Sequence, residues 1–245
     1  NCHFAMDTGI YGIYMVGARD GTIDHCYFGT GNGVYRSHSN ICYINSCIFK
    51  GASDYTGTAI YDNGVGSAYS CGLSIIDCEI LGYEYGVILS RADDFNISGC
   101  TIDYNTHSIR LLGQWAGTLT NCYLGSLGNN PALYIATDVE ASTNITISNN
   151  KFVGASTTDD AYDCIYINGA DSVRIIGNYI AFYTRHGISY DGMTSSTIVG
   201  NYIVPRTGLA TTGYAVNAAN DDSSNMIALN HFITNASNTA WAQKF

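Results

Sequence analysis

The chain has 245 residues, of which 46% are hydrophobic and only 12% are charged, and its formal net charge at pH 7 is −10. An acidic surface repels phosphate groups, which excludes nucleic acids as partners and disfavours anionic membrane surfaces. No run of the sequence approaches the ~20 apolar residues that span a bilayer, so we expect no membrane insertion.

The nine cysteines point to structure rather than to chemistry. Their number is odd, and the chain contains no Cys-x-x-Cys pair of the kind that binds zinc. Six of them belong to one repeated motif: Cys2, Cys26, Cys47, Cys78, Cys100 and Cys122. In such a repeat cysteine serves as a small buried apolar residue. We therefore expect free thiols, with neither a bound metal nor a cofactor.

The repeated motif consists of an apolar residue, two others, Cys or Asn, one other and a second apolar residue. Its nine full copies begin at Ile23, Ile44, Ile75, Ile97, Leu119, Ile147, Ile175, Ile198 and Ile227. The fourth position is Cys in the first five copies and Asn in the last four. A short motif that returns every 21 to 31 residues without helical periodicity indicates stacked coils, in which two strands flank a tight bend.

Another strand precedes each motif and has a small residue followed by an aliphatic one. The aliphatic residues are Ile13, Val34, Ile60, Val87, Ile109, Leu133, Ile165, Ile188 and Val216. In six of the nine coils this residue lies ten positions before the first apolar residue of the motif. The constant interval fixes the register of the stack, and each coil is predicted to have three short strands.

These repeats resemble those of the pectate-lyase-like right-handed parallel β-helix superfamily across essentially the whole chain. The Asn ladder at the bend, formed here by Asn150, Asn178, Asn201 and Asn230, carries the resemblance, while the Cys column departs from the commonest choice of the family. We predict an all-β, single-stranded right-handed parallel β-helix of about ten coils, with residues 1–245 as one domain. The sequence starts inside a third strand and stops where a first strand should run. We therefore expect a central segment of a longer chain, truncated at both ends.

The resemblance implies that sugar chains lie along the sheet built from the first strand of each coil. The residue after the aliphatic one is Tyr in five of nine coils: Tyr14, Tyr35, Tyr61, Tyr134 and Tyr166. A tyrosine offers a pyranose an apolar face and one hydrogen bond, so we predict Tyr35, Tyr61, Tyr134 and Tyr166 as substrate-binding residues. A tyrosine ladder that only stabilises the sheet is the alternative.

One pair of side chains suggests acid–base chemistry. Asp163 and His186 share a column on neighbouring coils, about 4.8 Å apart, where they could form a hydrogen bond. A carboxylate beside an imidazole makes a general acid or base, whereas a surface ion pair is the alternative. The remaining candidates nearby are Asp160 and Asp191 as catalytic residues and Arg185 and Tyr190 as substrate-binding residues.

The residue types leave the reaction open. Glycoside hydrolysis needs two carboxylates about 5 to 9.5 Å apart, which Asp163 with Asp160 or Asp191 could supply. A lyase or epimerase needs a base and a charge neutraliser, roles that His186 and Arg185 could take.

A second constellation combines Arg36 and Asp62 with Tyr35 and Tyr61, close to Glu84. A structural ion pair between the arginine and the aspartate is the alternative.

Within the superfamily, the chain is most similar to phage tailspike and tail-fibre depolymerases, because it is acidic, poor in Pro and rich in Tyr, Ser and Asn. This resemblance implies a homotrimeric virion protein that binds and degrades surface or capsular polysaccharide. Two alternatives remain. One is a secreted, extracellular polysaccharide lyase, hydrolase or epimerase, and the other is a non-catalytic solenoid that serves adhesion or forms a structural spike.

Overall fold

The computed structural model describes residues 2–7, 9–52, 54–64, 70–127, 130–154, 162–206, 214–220 and 224–232. Within these ranges the regular secondary structure consists of β-strands, and neighbouring strands pair in parallel. The described part of the chain has no helix long and apolar enough to cross a membrane. Each coil contributes one strand to each of three long sheets, as the sequence predicted.

Sheet 1 contains the first strands: Tyr11–Val16, Asn32–Ser37, Thr58–Asn63, Tyr85–Ser90, His107–Leu112, Leu133–Ala136, Asp163–Asn168, His186–Asp191 and Val216–Ala219. Sheet 2 contains the second strands: Arg19–Asp24, Asn40–Asn45, Ser70–Ile76, Phe95–Ser98, Gly117–Thr120, Ile145–Ser148, Arg174–Ile176, Thr197–Val199 and Met226–Ala228, with Ala92–Asp93 beside Ser70–Ile76. Sheet 3 contains the third strands: His3–Ala5, Tyr27–Gly29, Ile48–Lys50, Glu79–Leu81, Thr101–Asn105, Tyr123–Ser126, Lys151–Gly154, Tyr179–Tyr183, Tyr202–Pro205 and His231–Phe232. Ser142–Thr143 and Ala170–Asp171 form a separate two-stranded pair.

The predicted inward column of sheet 2 is confirmed. The first apolar residues of successive motifs are register partners from Ile23 to Ile227. Eight of them are buried, and seven of these have no exposed surface. Ile227 is only half-buried, because it belongs to the last strand described in this sheet. Apolar contact along this column is a main source of cohesion between the coils.

Close packing explains the small residue before each aliphatic one. A Cβ added at Gly33 would lie 2.3 Å from the carbonyl oxygen of Ala59 and 2.7 Å from the Phe49 ring. That ring is itself fixed by stacking on Phe28, with a centroid distance of 4.5 Å. The first strand therefore passes over the aromatic core too closely for a larger side chain at this position.

Side-chain amides hold the bend between sheets 2 and 3 in the upper coils, which are those from Asn150 to the C-terminal end of the stack. Asn178 Oδ1 accepts the backbone N–H of Asn150 at 2.9 Å. Asn178 Nδ2 donates to the Ile147 carbonyl oxygen and to Asn201 Oδ1, both at 3.0 Å. Each amide thus joins neighbouring coils and pairs backbone groups that the bend would otherwise bury unpaired.

Thiols replace the amides in the lower coils, which are those from Cys26 to Cys122. Cys100 Sγ accepts the backbone N–H of Cys78 at 3.5 Å and donates to the Ile75 carbonyl oxygen, also at 3.5 Å. Cys122 connects the two kinds of ladder, because its N–H donates to Asn150 Oδ1 at 2.9 Å. All nine cysteines are free thiols. The Cys column therefore forms weaker versions of the amide hydrogen bonds in addition to filling space.

Candidate functional site

The outward side chains of sheet 1 form one continuous column. We call this column the sheet 1 face, and it consists of Tyr14, Tyr35, Tyr61, Ile88, Arg110, Tyr134 and Tyr166. At its lower end the rings of Tyr14 and Tyr35 stack with centroids 4.6 Å apart, and Tyr61 meets Tyr35 edge-on at 5.5 Å. The rings are stacked on one another, yet Tyr14 remains 67% exposed and the other tyrosines of the column are half-buried.

A cation lies at the middle of this column. The Arg110 guanidinium carbon is 5.0 Å from the centroid of the Tyr134 ring and 5.5 Å from that of Tyr85. Tyr134 stacks in turn on Tyr166 at 5.7 Å. Sequence reasoning did not select Arg110 as a site residue, although it occupies the same column position as five tyrosines. Rings on both sides hold the guanidinium in place while the column continues past it.

Asp163 and His186 are register partners, as the sequence predicted, but the expected hydrogen bond between them is absent from the described contacts. The Asp163 carboxylate is instead bound by Arg185 at two points, Nε to Oδ1 at 2.8 Å and Nη2 to Oδ2 at 2.5 Å. Asp163 is 2% exposed, whereas the side chain of Arg185 is 46% exposed. A bidentate guanidinium satisfies both carboxylate oxygens, so Asp163 fixes Arg185 rather than the imidazole.

His186 has a different partner. Its Nδ1 accepts the backbone N–H of Tyr214 at 2.8 Å, and its ring is parallel to the Tyr214 ring with centroids 5.7 Å apart. Burial lowers the pKa of His186, with Arg185 also lowering it and Asp163 opposing both. The imidazole is therefore neutral with its proton on Nε2, and in this arrangement it is a hydrogen-bond donor.

Several of the charged candidates influence the pKa of Tyr166. Burial raises the pKa of Tyr166 first, nearby Asp191, Tyr134 and Asp163 raise it further, and Arg185 lowers it. Asp191 is half-buried, and its Oδ1 accepts a hydrogen bond from Asn220 Nδ2 at 2.8 Å. Asp160 lies outside the described residues. One end of the sheet 1 face thus combines rings with a guanidinium, an imidazole donor and two carboxylates.

The prediction that Tyr190 contacts substrate is wrong for this structure, because its side chain has no exposed surface. Side chains alternate along a strand, so the residue two positions after inward Ile188 also points inward. The same alternation places Arg36 and Asp62 inside the helix, at 1% and 0% exposure, with Nη1 and Oδ2 2.8 Å apart. Burial raises the pKa of Asp62 to about 6, opposed by Arg36. This constellation is a structural ion pair, as its alternative interpretation held.

Across the described ranges, no group of three or more His, Cys, Asp or Glu residues is placed to hold a metal ion.

Several solved structures share this fold at low sequence identity. The Dettilon tailspike protein is 16% identical with a TM-score of 0.68, and the match covers 92% of this chain and 49% of that one. The A-module of a mannuronan C-5 epimerase from Azotobacter vinelandii is 14% identical with a TM-score of 0.61, covering 92% and 65%. DFA-IIIase from Arthrobacter chlorophenolicus A6 in complex with GF2 is 14% identical with a TM-score of 0.64, covering 85% and 54%.

The chain spans about half to two-thirds of the length of these structures. No curated protein matches it in sequence. The family model described as "Right handed beta helix region" matches residues 11–162 and 63–232, which together include most of the chain. With three parallel sheets and one strand per coil in each, the chain belongs to the right-handed β-helix family.

Proposed function

We propose that the chain is the polysaccharide-binding β-helix of a tailspike-like protein and that its sheet 1 face holds the sugar chain. The observation that carries the proposal is the column of partly exposed side chains on the sheet 1 face, with tyrosine rings at both ends and Ile88 and Arg110 between them. From Tyr14 to Tyr166 the column crosses six coil intervals, or about 29 Å at about 4.8 Å each. A surface of that length offers stacking contacts to several sugar residues in succession.

The charge of this face favours an acidic or polar polysaccharide as its partner. Arg110 and Arg185 present guanidinium groups on a chain whose net charge is −10. A guanidinium held by two rings or by a buried carboxylate loses little freedom when it binds a carboxylate of a sugar. Arg110 therefore supplies positive charge where a uronate or another acidic sugar would bind, whereas the charge of Arg185 is offset by that of Asp163.

We assign cleavage of the polysaccharide to the end of the face around Tyr166. Arg185 and the Nε2–H of His186 would bind oxygens of the substrate, and Asp191 would serve as the acid or base. Hydrolysis would need a second carboxylate, for which Asp160 is the candidate. Asp163 acts here as a positioning residue, because both of its oxygens are bound to Arg185.

A non-catalytic binding solenoid is the second candidate function. It is favoured by the state of the two residues that sequence reasoning placed at the centre of catalysis. Asp163 is neutralised by Arg185, and His186 has its Nδ1 lone pair occupied by the Tyr214 N–H. Neither group is a ready proton acceptor in this structure.

Turnover separates the two candidates. Capsular and lipopolysaccharide preparations are incubated with the intact protein, and both new reducing ends and the ultraviolet absorbance of unsaturated sugar ends are followed. We expect Asp191→Asn to lower turnover by at least a hundredfold while binding is retained, and the exposed control Asp24→Asn to leave turnover unchanged. Wild-type turnover in Asp191→Asn would refute the catalytic assignment. Binding without any turnover by the wild type would establish the binding-only solenoid.

A homotrimer and a place in the virion are further parts of the tailspike-like proposal. Light scattering on the intact protein tests the first, and a stable monomer would favour the secreted lyase, hydrolase or epimerase instead.

A further inference from the structure

A separate cavity lies at the corner where the chain passes from sheet 1 to sheet 2. Its volume is about 470 Å³, and it is lined by Asp93, Asp94, Trp115, Ala116 and Asn144. These residues come from three successive coils, and none of them belongs to the sheet 1 face. The volume lies within the range of small-ligand pockets.

The wall that carries Trp115 is rigidly built. The preceding residue, Gln114, has no exposed surface, and its Nε2 donates to the carbonyl oxygens of Leu89 and Leu112, both at 2.8 Å. Its Oε1 accepts the N–H of Ala92 at 3.2 Å, and its carbonyl oxygen accepts the N–H of Thr143 at 2.7 Å. These bonds tie Gln114 to the coils below and above.

Although its backbone is fixed, the Trp115 side chain is 55% exposed. An exposed indole at a pocket wall presents a flat apolar surface on which a sugar ring can stack.

Two neighbouring carboxylates, those of Asp93 and Asp94, line the cavity. Asp93 Oδ1 is buried and has no hydrogen-bond partner among the described residues. Burial raises the pKa of Asp93 first, and the neighbouring carboxylates of Asp94 and Glu140 raise it further. That oxygen is closed to a ligand in the cavity, but the adjacent negative charges of Asp93 and Asp94 favour a ligand that brings a hydrogen-bond donor or a positive charge.

We propose that this cavity is a saccharide-binding site for an amino sugar, distinct from the sheet 1 face. The sugar ring stacks on the Trp115 indole, its ammonium group binds the carboxylates of Asp93 and Asp94, and Asn144 hydrogen-bonds a ring hydroxyl. Acidic sugars are repelled by the same carboxylates. The selectivity of the cavity is therefore opposite to that expected for the arginine-bearing sheet 1 face, and this inference does not depend on the function proposed for that face.

A printed array of amino, neutral and acidic glycans tests the proposal on the intact protein. We expect glycans with free amino sugars to be retained, and Trp115→Ala to reduce that signal at least tenfold. The control Tyr104→Ala removes another exposed ring, at 59% exposure on sheet 3, and should leave the pattern unchanged. An identical pattern for Trp115→Ala and the wild type, or no retention of amino glycans by the wild type, would overturn the proposal.

Fluorescence gives a second readout at the pocket itself. The chain has two tryptophans, so Trp241→Phe leaves Trp115 as the single indole. In that background we expect a chitosan tetramer to change the emission, and a galacturonate tetramer to have no effect. Asp93→Asn with Asp94→Asn should weaken chitosan binding at least tenfold. Tyr166→Ala should not weaken it, and if it did, the amino sugar would be binding at the sheet 1 face and the proposal would fail.

Discussion

Asn178 in the bend ladder gives the sharpest test of how the coils are held together. Substitution by Ala leaves the Asn150 N–H without its acceptor and the Ile147 carbonyl oxygen without its side-chain donor. Asn178 is 1% exposed, so water cannot replace the lost partners. Each buried polar group left unpaired lowers the free energy of unfolding by about 1–3 kcal/mol, so the two groups together give a loss of about 2–6 kcal/mol for Asn178→Ala.

The matched variant Asn178→Cys places at this coil the residue that the lower coils use. A thiol there can accept the same N–H and donate to the same carbonyl oxygen, as Cys100 does, so we expect less than half the loss of the Ala variant. Asn96→Ala serves as the control, because the Asn96 side chain accepts a solvent-exposed hydrogen bond from Thr118, and its effect should stay within about 0.5 kcal/mol.

Urea unfolding followed by circular dichroism gives the free energy of unfolding of all three variants. The values are compared only where the dependence of that free energy on urea concentration is the same for each variant. If Asn178→Ala were no more destabilising than Asn96→Ala, the ladder would not hold the bend. If Asn178→Cys were as destabilising as Asn178→Ala, the thiol column would only be filling space.

Three further predictions concern buried and half-buried side chains. Ile147→Ala should lower the free energy of unfolding, measured with urea, by about 2–5 kcal/mol. Ile227 is only half-buried, so Ile227→Ala should lower it clearly less, and equal losses would contradict the difference in burial. Asp62→Ala should cost about 3–5 kcal/mol, because it leaves the buried Arg36 guanidinium uncompensated, and a loss under about 1 kcal/mol would show that the pair is open to water. Burial and nearby Arg110 lower the pKa of His107 to about 4, so folding favours the neutral imidazole and stability is lost as pH falls from about 6.5 towards 4. NMR titration should place the His107 transition near pH 4, and one near the ordinary histidine pKa would refute this.

The fold could be predicted from the sequence because each coil repeats the same physical requirements. An inward aliphatic residue at Val34 or Ile60 and a tight bend at Cys47 or Cys78 recur at nearly constant spacing. The register follows from placing equivalent residues of successive coils next to one another, and the observed strand pairs agree with it. The hydrogen bonds of Gln114 at the corner between sheets 1 and 2 were not predicted, because the next coil has Ser142 at this corner and the sequence shows no repeated residue type there.

The site could be predicted only in part. Shared columns placed Asp163 beside His186, yet which neighbour a carboxylate binds depends on side-chain reach, and Arg185 reaches it with two nitrogens. The inward position of Tyr190 was available from strand alternation relative to Ile188. The environment of His186 was not, because its partner is the backbone of Tyr214 on another coil.

Hydroxyl-radical footprinting with a bound polysaccharide tests the central claim most directly. Two stacked tyrosine pairs make the comparison internal to one molecule. Tyr134 and Tyr166 lie on the sheet 1 face with centroids 5.7 Å apart, and Tyr179 and Tyr202 lie on sheet 3 at 5.5 Å. If the sheet 1 face binds the sugar chain, oxidation of Tyr134 and Tyr166 should fall severalfold on binding while that of Tyr179 and Tyr202 stays unchanged. Protection of the sheet 3 pair alone, or equal protection of both pairs, would contradict the account.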